Sequence, residues 1–284
     1  MSKLSRWWRR NFGPLLIRGM EIHIINHCNI ACRGCNHAAP ALEKKLLEPE
    51  ELRSQLRLLG RVARVGTVRV IGGEPLLHPR IDDTLHEIRA SGLFAEVHVI
   101  TNGSLLGRMT ERFWSLVDVV KVSKYPGVKV EVPPGREPKV TIDDIPVFNE
   151  VFSTQRNDDG DLVRQIWDRC WMKDSCIGLQ DGRLHRCMRG GYIAQLVGLS
   201  AERDSIDLRR LTRRRLLAMH SRDVPLEACS HCTGNSGKPF AHELLKRPVW
   251  ITYQNRPVAE MVDLSSPGRP SSLPKGEKIV VPMG

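Results

Sequence analysis

The chain has 284 residues, with 43 Lys and Arg against 32 Asp and Glu (net charge +11), 41% hydrophobic, 26% charged and 5% aromatic residues. This is the balance of a globular protein with a sizeable core, and it excludes a fibrous or wholly disordered chain. Charges interrupt every apolar stretch before the roughly 18 residues of a membrane span. The first twenty residues, Trp7-Trp8-Arg9-Arg10 and then a short apolar piece, lack the features of a secretion signal. A cytoplasmic protein is expected, in which clustered cysteines serve metal binding or catalysis rather than disulfides.

In chain order, residues 21–25 alternate polar and apolar over a β-branched run and predict a first strand. A helix is predicted over 49–62, with Leu52, Leu56 and Leu59 on one face and Glu48, Glu50 and Glu51 at its N-terminal end. Strands follow at 67–71, 96–100 and 119–123, separated by helices near 80–90 and 109–116, and Gly72-Gly73 and Asn102-Gly103 end two of the strands. The alternation predicts βαβ units and an α/β fold with a parallel sheet, open or curled into a barrel. Beyond Pro126 the regularity weakens, with Pro133-Pro134-Gly135 and the acidic loop 157–161 as punctuation. A boundary is expected near Trp167. The expected division is an N-terminal extension (1–19), a core (20–166), a cysteine-rich unit (167–240) holding a basic helix at 207–220, and a C-terminal extension (241–284) that is Pro/Ser-rich over 265–278. Trp7 and Trp8 are expected in a helix packed over the core.

The cysteines fall into two groups. Cys28, Cys32 and Cys35 supply three soft thiolates within eight residues, enough for three corners of an iron–sulfur cube and leaving one iron open to an outside ligand. A zinc site completed by His27 or His37 is the alternative on spacing alone. Where the second strand ends stands Gly72-Gly73-Glu74-Pro75: the glycines allow close backbone approach to a ligand, and the acid can face an ammonium.

The cysteine loop after strand one and this turn after strand two, in this order, resemble the radical S-adenosylmethionine (SAM) superfamily. The resemblance implies a partial parallel (β/α) barrel and a [4Fe-4S] cluster on Cys28, Cys32 and Cys35, with SAM chelating the open iron. It also implies SAM contacts from Gly72, Gly73, Glu74, Pro75, Asn102 and Ser123, the last a candidate for the ribose. Asn102 and Ser123 also read as ordinary turn residues. The family usually has an aromatic residue before the third cysteine, where this chain has Gly34.

Cys170, Gly182, Cys187 and the pair Cys229 and Cys232 resemble the small C-terminal auxiliary-cluster (twitch) domain of the same superfamily. That implies a second [4Fe-4S] cluster on these four cysteines; a four-thiolate zinc site is the alternative. Gly182 falls in a plausible hairpin turn, Gln180 to Arg183. Cys176 is then spare, either a small buried side chain or a catalytic hydrogen-atom donor, since a thiol S–H is weaker than a sugar C–H.

The resemblance implies a 5′-deoxyadenosyl radical that abstracts a substrate hydrogen. The arrangement resembles twitch enzymes of antibiotic biosynthesis, the aminocyclitol dehydrogenase of the butirosin pathway and the epimerase of the hygromycin B pathway. The spare cysteine favours epimerisation of an aminoglycoside or aminocyclitol. Oxidation of the alcohol to a ketone is the alternative, with Arg156, Arg164, Lys124 or His185 as base. The roughly twenty residues before strand one are too few for a leader-recognition domain of the peptide-modifying class. The partners expected are the small substrate and a one-electron donor such as flavodoxin or ferredoxin. Neither nucleic acid nor membrane is expected, although Arg209-Arg210 and Arg213-Arg214-Arg215 form a basic run. A cationic substrate requires local acid, for which Asp143, Asp144, Asp158, Asp159 and Asp161 are the candidates.

Overall fold

The computed structural model describes residues 13–265 and 280–282. Trp7 to Arg10 and the tail beyond Ser265 as far as residue 279 lie outside the described residues. Strand β1 (Leu15–His23) opens the fold, followed by helix α1 (Pro49–Gly60), β2 (Ala63–Ile71), α2 (Ile81–Ala90), β3 (Phe94–Thr101), α3 (Glu111–Leu116) and β4 (Val119–Lys124). Each agrees with its expected position. β1 begins six residues early, because Leu15 and Ile17 already face the core and pair with β2 (Leu15↔Ala63).

Between β4 and the expected boundary, two strands were not anticipated, and neither were three short strands further along the chain, at 205–207, 239–241 and 280–282. β5 (Val140–Asp144) lies parallel to β4, reached without an intervening α-helix. Its residues are largely exposed, so it carries no buried periodicity for a sequence to display. β6 (Val147–Asn149) follows.

Helix α4 (Gly160–Arg169) contains Trp167, the expected boundary, and a short α5 (Met172–Ser175) leads to the hairpin of β7 (Gly178–Gln180) and β8 (Arg183–His185). Asp181 and Gly182 have φ of +50° and +68°, the two left-handed centres of a tight hairpin turn, as expected at Gly182. Then come α6 (Met188–Val197), β9 (Ser205–Asp207) and α7 (Arg213–Ser221). The expected basic helix over 207–220 is divided because Thr212 takes an N-cap conformation, its hydroxyl accepting from the Arg215 N–H. The described chain ends with β10 (Pro239–Ala241), α8 (Arg247–Gln254), α9 (Val258–Met261) and β11 (Val280–Pro282).

The main sheet runs β5-β4-β3-β2-β1-β7-β8-β9, with β11 also on β1. β5 through β1 and then β7 are parallel, whereas β8 and β9 are antiparallel additions. This is the partial parallel barrel expected, with the sheet continuing from the core into the cysteine-rich unit through the β1–β7 pairing. Because strand side chains alternate, Met20, Ile22, Val68, Val70, Val97 and Val99 pack in one apolar cluster with α1 to α3. Their neighbours Glu21, His23, Arg69 and His98 share the opposite, interior face. A second apolar cluster, containing Ala38, Ile71, Phe152, Cys176, Met188, Tyr192 and Trp250, lies over the ends of the strands. Among the described residues, no helix is long and apolar enough to cross a membrane.

Candidate functional site: two thiol groups at one end of the sheet

The first group occupies the loop after β1. The turn after β2 is fastened directly beneath it, with Gly73 N–H donating to Ile25 O (2.7 Å) and Glu74 N–H to His27 O (3.0 Å). A Cβ on Gly73 would stand 2.2 Å from His27 O, and one on Gly72 2.5 Å from Ile25 O. The glycines are therefore required where two stretches of backbone touch, not only beside a ligand.

Glu74 also differs from expectation. Its carboxylate is fully buried and accepts from Leu76 N–H (3.0 Å), Thr101 O–H (2.6 Å) and Asn102 N–H (2.7 Å). Burial pushes its pKa up, against those three donors. The side chain ties β2 to β3 and is already engaged by three donors of its own chain.

Asn102 reaches back to the cysteine loop, its Nδ2 donating to Asn29 Oδ1 (2.9 Å) and toward Cys28 Sγ (3.7 Å). Ser123, at the end of β4, is bonded to Tyr125, whose pKa is raised by burial and by the nearby thiols Cys32, Cys35 and Cys28. Burial and mutual proximity push the thiols themselves up, Cys28 to about 12. Three such groups ionise together only with a cationic centre between them.

A strap from the C-terminal extension covers this loop, and it was not anticipated. Leu245 N–H donates to Ala31 O (2.8 Å) and Arg33 N–H to Glu243 O (2.9 Å). Arg247 donates to Cys28 O (3.0 Å) and the Trp250 indole to Cys32 O (3.0 Å). The Arg33 guanidinium lies 4.0 Å from the Phe240 ring and 4.2 Å from Tyr253, bonded to Glu243 (2.7 Å) and to buried Glu150 (3.0 Å). This accounts for Gly34: its φ is +68°, and a Cβ there would meet Phe240 Cζ at 2.8 Å. The space that an aromatic side chain on residue 34 would claim is taken by a ring from β10.

The second group is gathered as expected. Cys170, Cys187, Cys229 and Cys232 line one small cavity with Trp167, Met172, Arg186 and Arg189, and Cys176 is not among its lining residues. The donor set fits a cubane: four thiolates, a backbone N–H from Gly234 to Cys232 Sγ (3.3 Å), and the buried cation Arg189, whose Nη1 points at Cys232 Sγ (3.7 Å). Arg189 Nε is buried without a partner, and a positive charge here offsets the charge of an anionic cluster. Among the described residues, no three His, Cys, Asp or Glu side chains converge on a single-ion site.

Cys176 is 4% exposed and sits in the second apolar cluster with Ala38, which follows the first cysteine loop, and with Met188 and Tyr192. Its Sγ accepts from Met188 N–H (3.3 Å) and hydrogen-bonds to Cys187, which lowers Cys187 and raises Cys176. Cys176 thus keeps its proton while touching a candidate ligand of the second group.

The expected acidic patch is dispersed. Asp144 pairs with Lys124 (3.0 Å) and Asp158 with Arg156 (2.8 Å), Asp159 caps α4, and Asp143 and Asp161 are exposed. Glu21 is the acid on the interior face, 3.6 Å from Arg69 and within electrostatic reach of Cys176. Of the expected bases, Arg156, Arg164 and Lys124 are exposed and ion-paired. His185 is buried and held down to about 4 by desolvation.

Residues 22–123 match the model of the Radical SAM superfamily. Among curated proteins, the GTP 3',8-cyclase of Nostoc punctiforme is 30% identical over 100 residues, 34% of this chain and 30% of that protein. The enzyme of the same name from Crocosphaera subtropica is 31% identical over 96 residues, 32% of this chain and 28% of that one. The match therefore spans about 30% of those relatives. Among solved structures, BtrN in complex with AdoMet and 2-DOIA is 16% identical with a TM-score of 0.46, over 73% of this chain and 83% of that one. SuiB of Streptococcus suis bound to S-adenosylmethionine is 16% identical with a TM-score of 0.31, over 43% and 28%. The likeness to that family thus covers residues 22–123, from β1 to the end of β4.

Proposed function

We propose that the protein is a radical SAM epimerase acting on a carbinol carbon of an aminoglycoside or aminocyclitol in antibiotic biosynthesis. Cys28, Cys32 and Cys35 would hold the first [4Fe-4S] cluster, and Cys170, Cys187, Cys229 and Cys232 a second. Carbonyls of Gly72 to Pro75, with Asn102 and Ser123, would line the SAM site. Bound there, these groups supply a 5′-deoxyadenosyl radical that takes a hydrogen atom from the substrate. Cys176 then returns a hydrogen atom to the other face, inverting the centre, and an electron carrier of the flavodoxin or ferredoxin class restores the thiol.

One observation supports this reading: four thiols line a cavity whose lining does not include Cys176, while buried Cys176 hydrogen-bonds to Cys187 of that group and belongs to the apolar cluster that also holds Ala38. The test is anaerobic turnover of the reconstituted enzyme in deuterated water with a panel of aminoglycosides. Gain of one non-exchangeable deuterium without redox change is expected, and lost in Cys176→Ala. A product lighter by two hydrogens, unchanged in Cys176→Ala, would make the protein a dehydrogenase.

A further inference from the structure

The two cysteine groups share one short stretch of chain, Glu150-Val151-Phe152, which follows β6. Its backbone is gripped by the second group. Thr233, next to Cys232, donates its N–H to Val151 O (3.0 Å) and its hydroxyl to Glu150 O (2.7 Å). Phe152 forms a β-bridge with Cys232 itself, and Ser153 N–H donates to His231 O (2.7 Å). A Cβ on Gly237 would stand 1.7 Å from Glu150 O, so the chain after Cys232 lies directly against this stretch.

Its side chains hold the first group. Glu150 is 4% exposed, and its Oε1 accepts from Nη2 of Arg33 (3.0 Å), which stands between Cys32 and Cys35. The same oxygen lies 2.9 Å from Arg256 Nη2 and accepts from the Tyr253 hydroxyl. Oε2 is buried without a partner among the described residues. Two guanidiniums therefore converge on one carboxylate oxygen, and removing the carboxylate charge would leave two cations side by side. Phe152 makes a second link, packing at 5.9 Å on Trp250, whose indole donates to Cys32 O (3.0 Å).

We propose that Glu150 is a positioning residue that couples the two cysteine groups, so that a cluster held by Cys170, Cys187, Cys229 and Cys232 steadies the loop of Cys28, Cys32 and Cys35 through Arg33, and the reverse. The path is contiguous, from Cys232 through Thr233 and Glu150 to Arg33. A group bound at either end fixes its cysteines and the chain attached to them. The stretch 150–152 is then ordered once for both sites, and the site that fills second is spared that ordering. The coupling is equal in both directions. The proposal rests on the reading of both groups as cluster sites and not on what the enzyme does to its substrate.

Hydrogen exchange in a chain able to fill only the second site tests this. Cys28→Ala, Cys32→Ala and Cys35→Ala together prevent loading of the first site and keep the backbone bonds of its loop. In that variant the Arg33 and Leu245 amides, bonded to Glu243 O and Ala31 O, should exchange about fivefold or more slowly once the second cluster is reconstituted than before it. Adding Glu150→Gln should abolish this response. Adding Glu243→Gln instead, which removes the exposed partner of Arg33, should speed exchange equally in both states and leave the response intact. A role for Glu150 in stability alone would give that same result. No change on filling the second site, or a change that survives Glu150→Gln, would overturn the coupling. If the alanine variant holds no cluster, the reverse direction decides. Cys229→Ala with Cys232→Ala should still form the first cluster but lose it to a chelator about fivefold faster than wild type, Glu150→Gln should do the same, and their combination should be no faster than either. Multiplying losses would overturn the coupling. Wild type that takes up only one cluster, by iron analysis, would overturn the reading of the second site on which the coupling rests.

Discussion

Replacing Trp250 by Phe tests whether the strap holds the first cysteine loop. The indole is fully buried, packs against Phe152 at 5.9 Å, and donates its N–H to Cys32 O at 3.0 Å. Phenylalanine keeps most of the apolar contact and removes one of two donors to Cys32 O, which still accepts from Cys35 N–H (3.2 Å), so the loss is that of one hydrogen bond, about 0.5–1.5 kcal/mol. The smaller ring adds about 1 kcal/mol for volume the site does not refill. The sum, about 1.5–2.5 kcal/mol, should appear as a lower urea midpoint with unchanged slope in the cluster-free protein under reducing conditions. Hydrogen exchange should place the loss. The Arg33 amide, bonded to Glu243 O, and the Leu245 amide, bonded to Ala31 O, should exchange faster, while amides in β2 and β3 keep their protection. A stability within about 0.5 kcal/mol of wild type, or a loss spread evenly over the sheet, would refute the reasoning.

Three further outcomes are expected. Glu74→Gln places an amide NH₂ against one of two backbone donors and should cost about 2–4 kcal/mol in urea unfolding, whereas Thr101→Val, which removes one donor only, should cost about 1 kcal/mol; equal costs would show that the carboxylate is not the tie between β2 and β3. His23, lowered from 6.5 to about 4 in the folded protein, binds a proton on unfolding, so its contribution is complete above about 6.5 and is lost as pH falls toward 4. That contribution is on the order of 3 kcal/mol, and the stability of His23→Gln should lack this part of the acid slope in parallel titrations. Arg189→Gln should lower the iron retained after reconstitution toward half while sparing the cluster on Cys28, Cys32 and Cys35, read by iron analysis and electron paramagnetic resonance; full iron content would remove Arg189 from the charge balance of the second site.

The legible parts of the fold were those written in local periodicity. Strands β1 to β4 and helices α1 to α3 carry alternating or three-to-four spaced apolar residues that end in the core, and the hairpin at Gly182 is declared by its turn residues. The four thiols of the second cavity were also legible, because cysteine types and their gaps survive without knowledge of the path between them. β5 was not, since its exposed residues leave no pattern. Nor was the strap, whose contacts Arg33–Glu243 and Cys32–Trp250 join residues more than two hundred positions apart. At Glu74 the motif does not say whether a carboxylate faces a ligand or its own chain, and the three donors it meets come from Leu76, Thr101 and Asn102.

The pairing of β1 bears on how the protein is made. One edge of β1 takes β2, while the other is shared between β7 and β11, and β11 begins at residue 280, 265 positions after β1 starts at residue 15. At roughly 5–20 residues per second of synthesis, the first core strand leaves the ribosome about 10–50 s before its final neighbour, with hydrogen-bonding groups on that edge unsatisfied in the interval. Until then the edge is a template for other chains, and the strap that closes over Cys28 to Cys35 is not yet complete. Shielding of nascent chains during that interval should therefore govern yield more than the stability of the finished protein does.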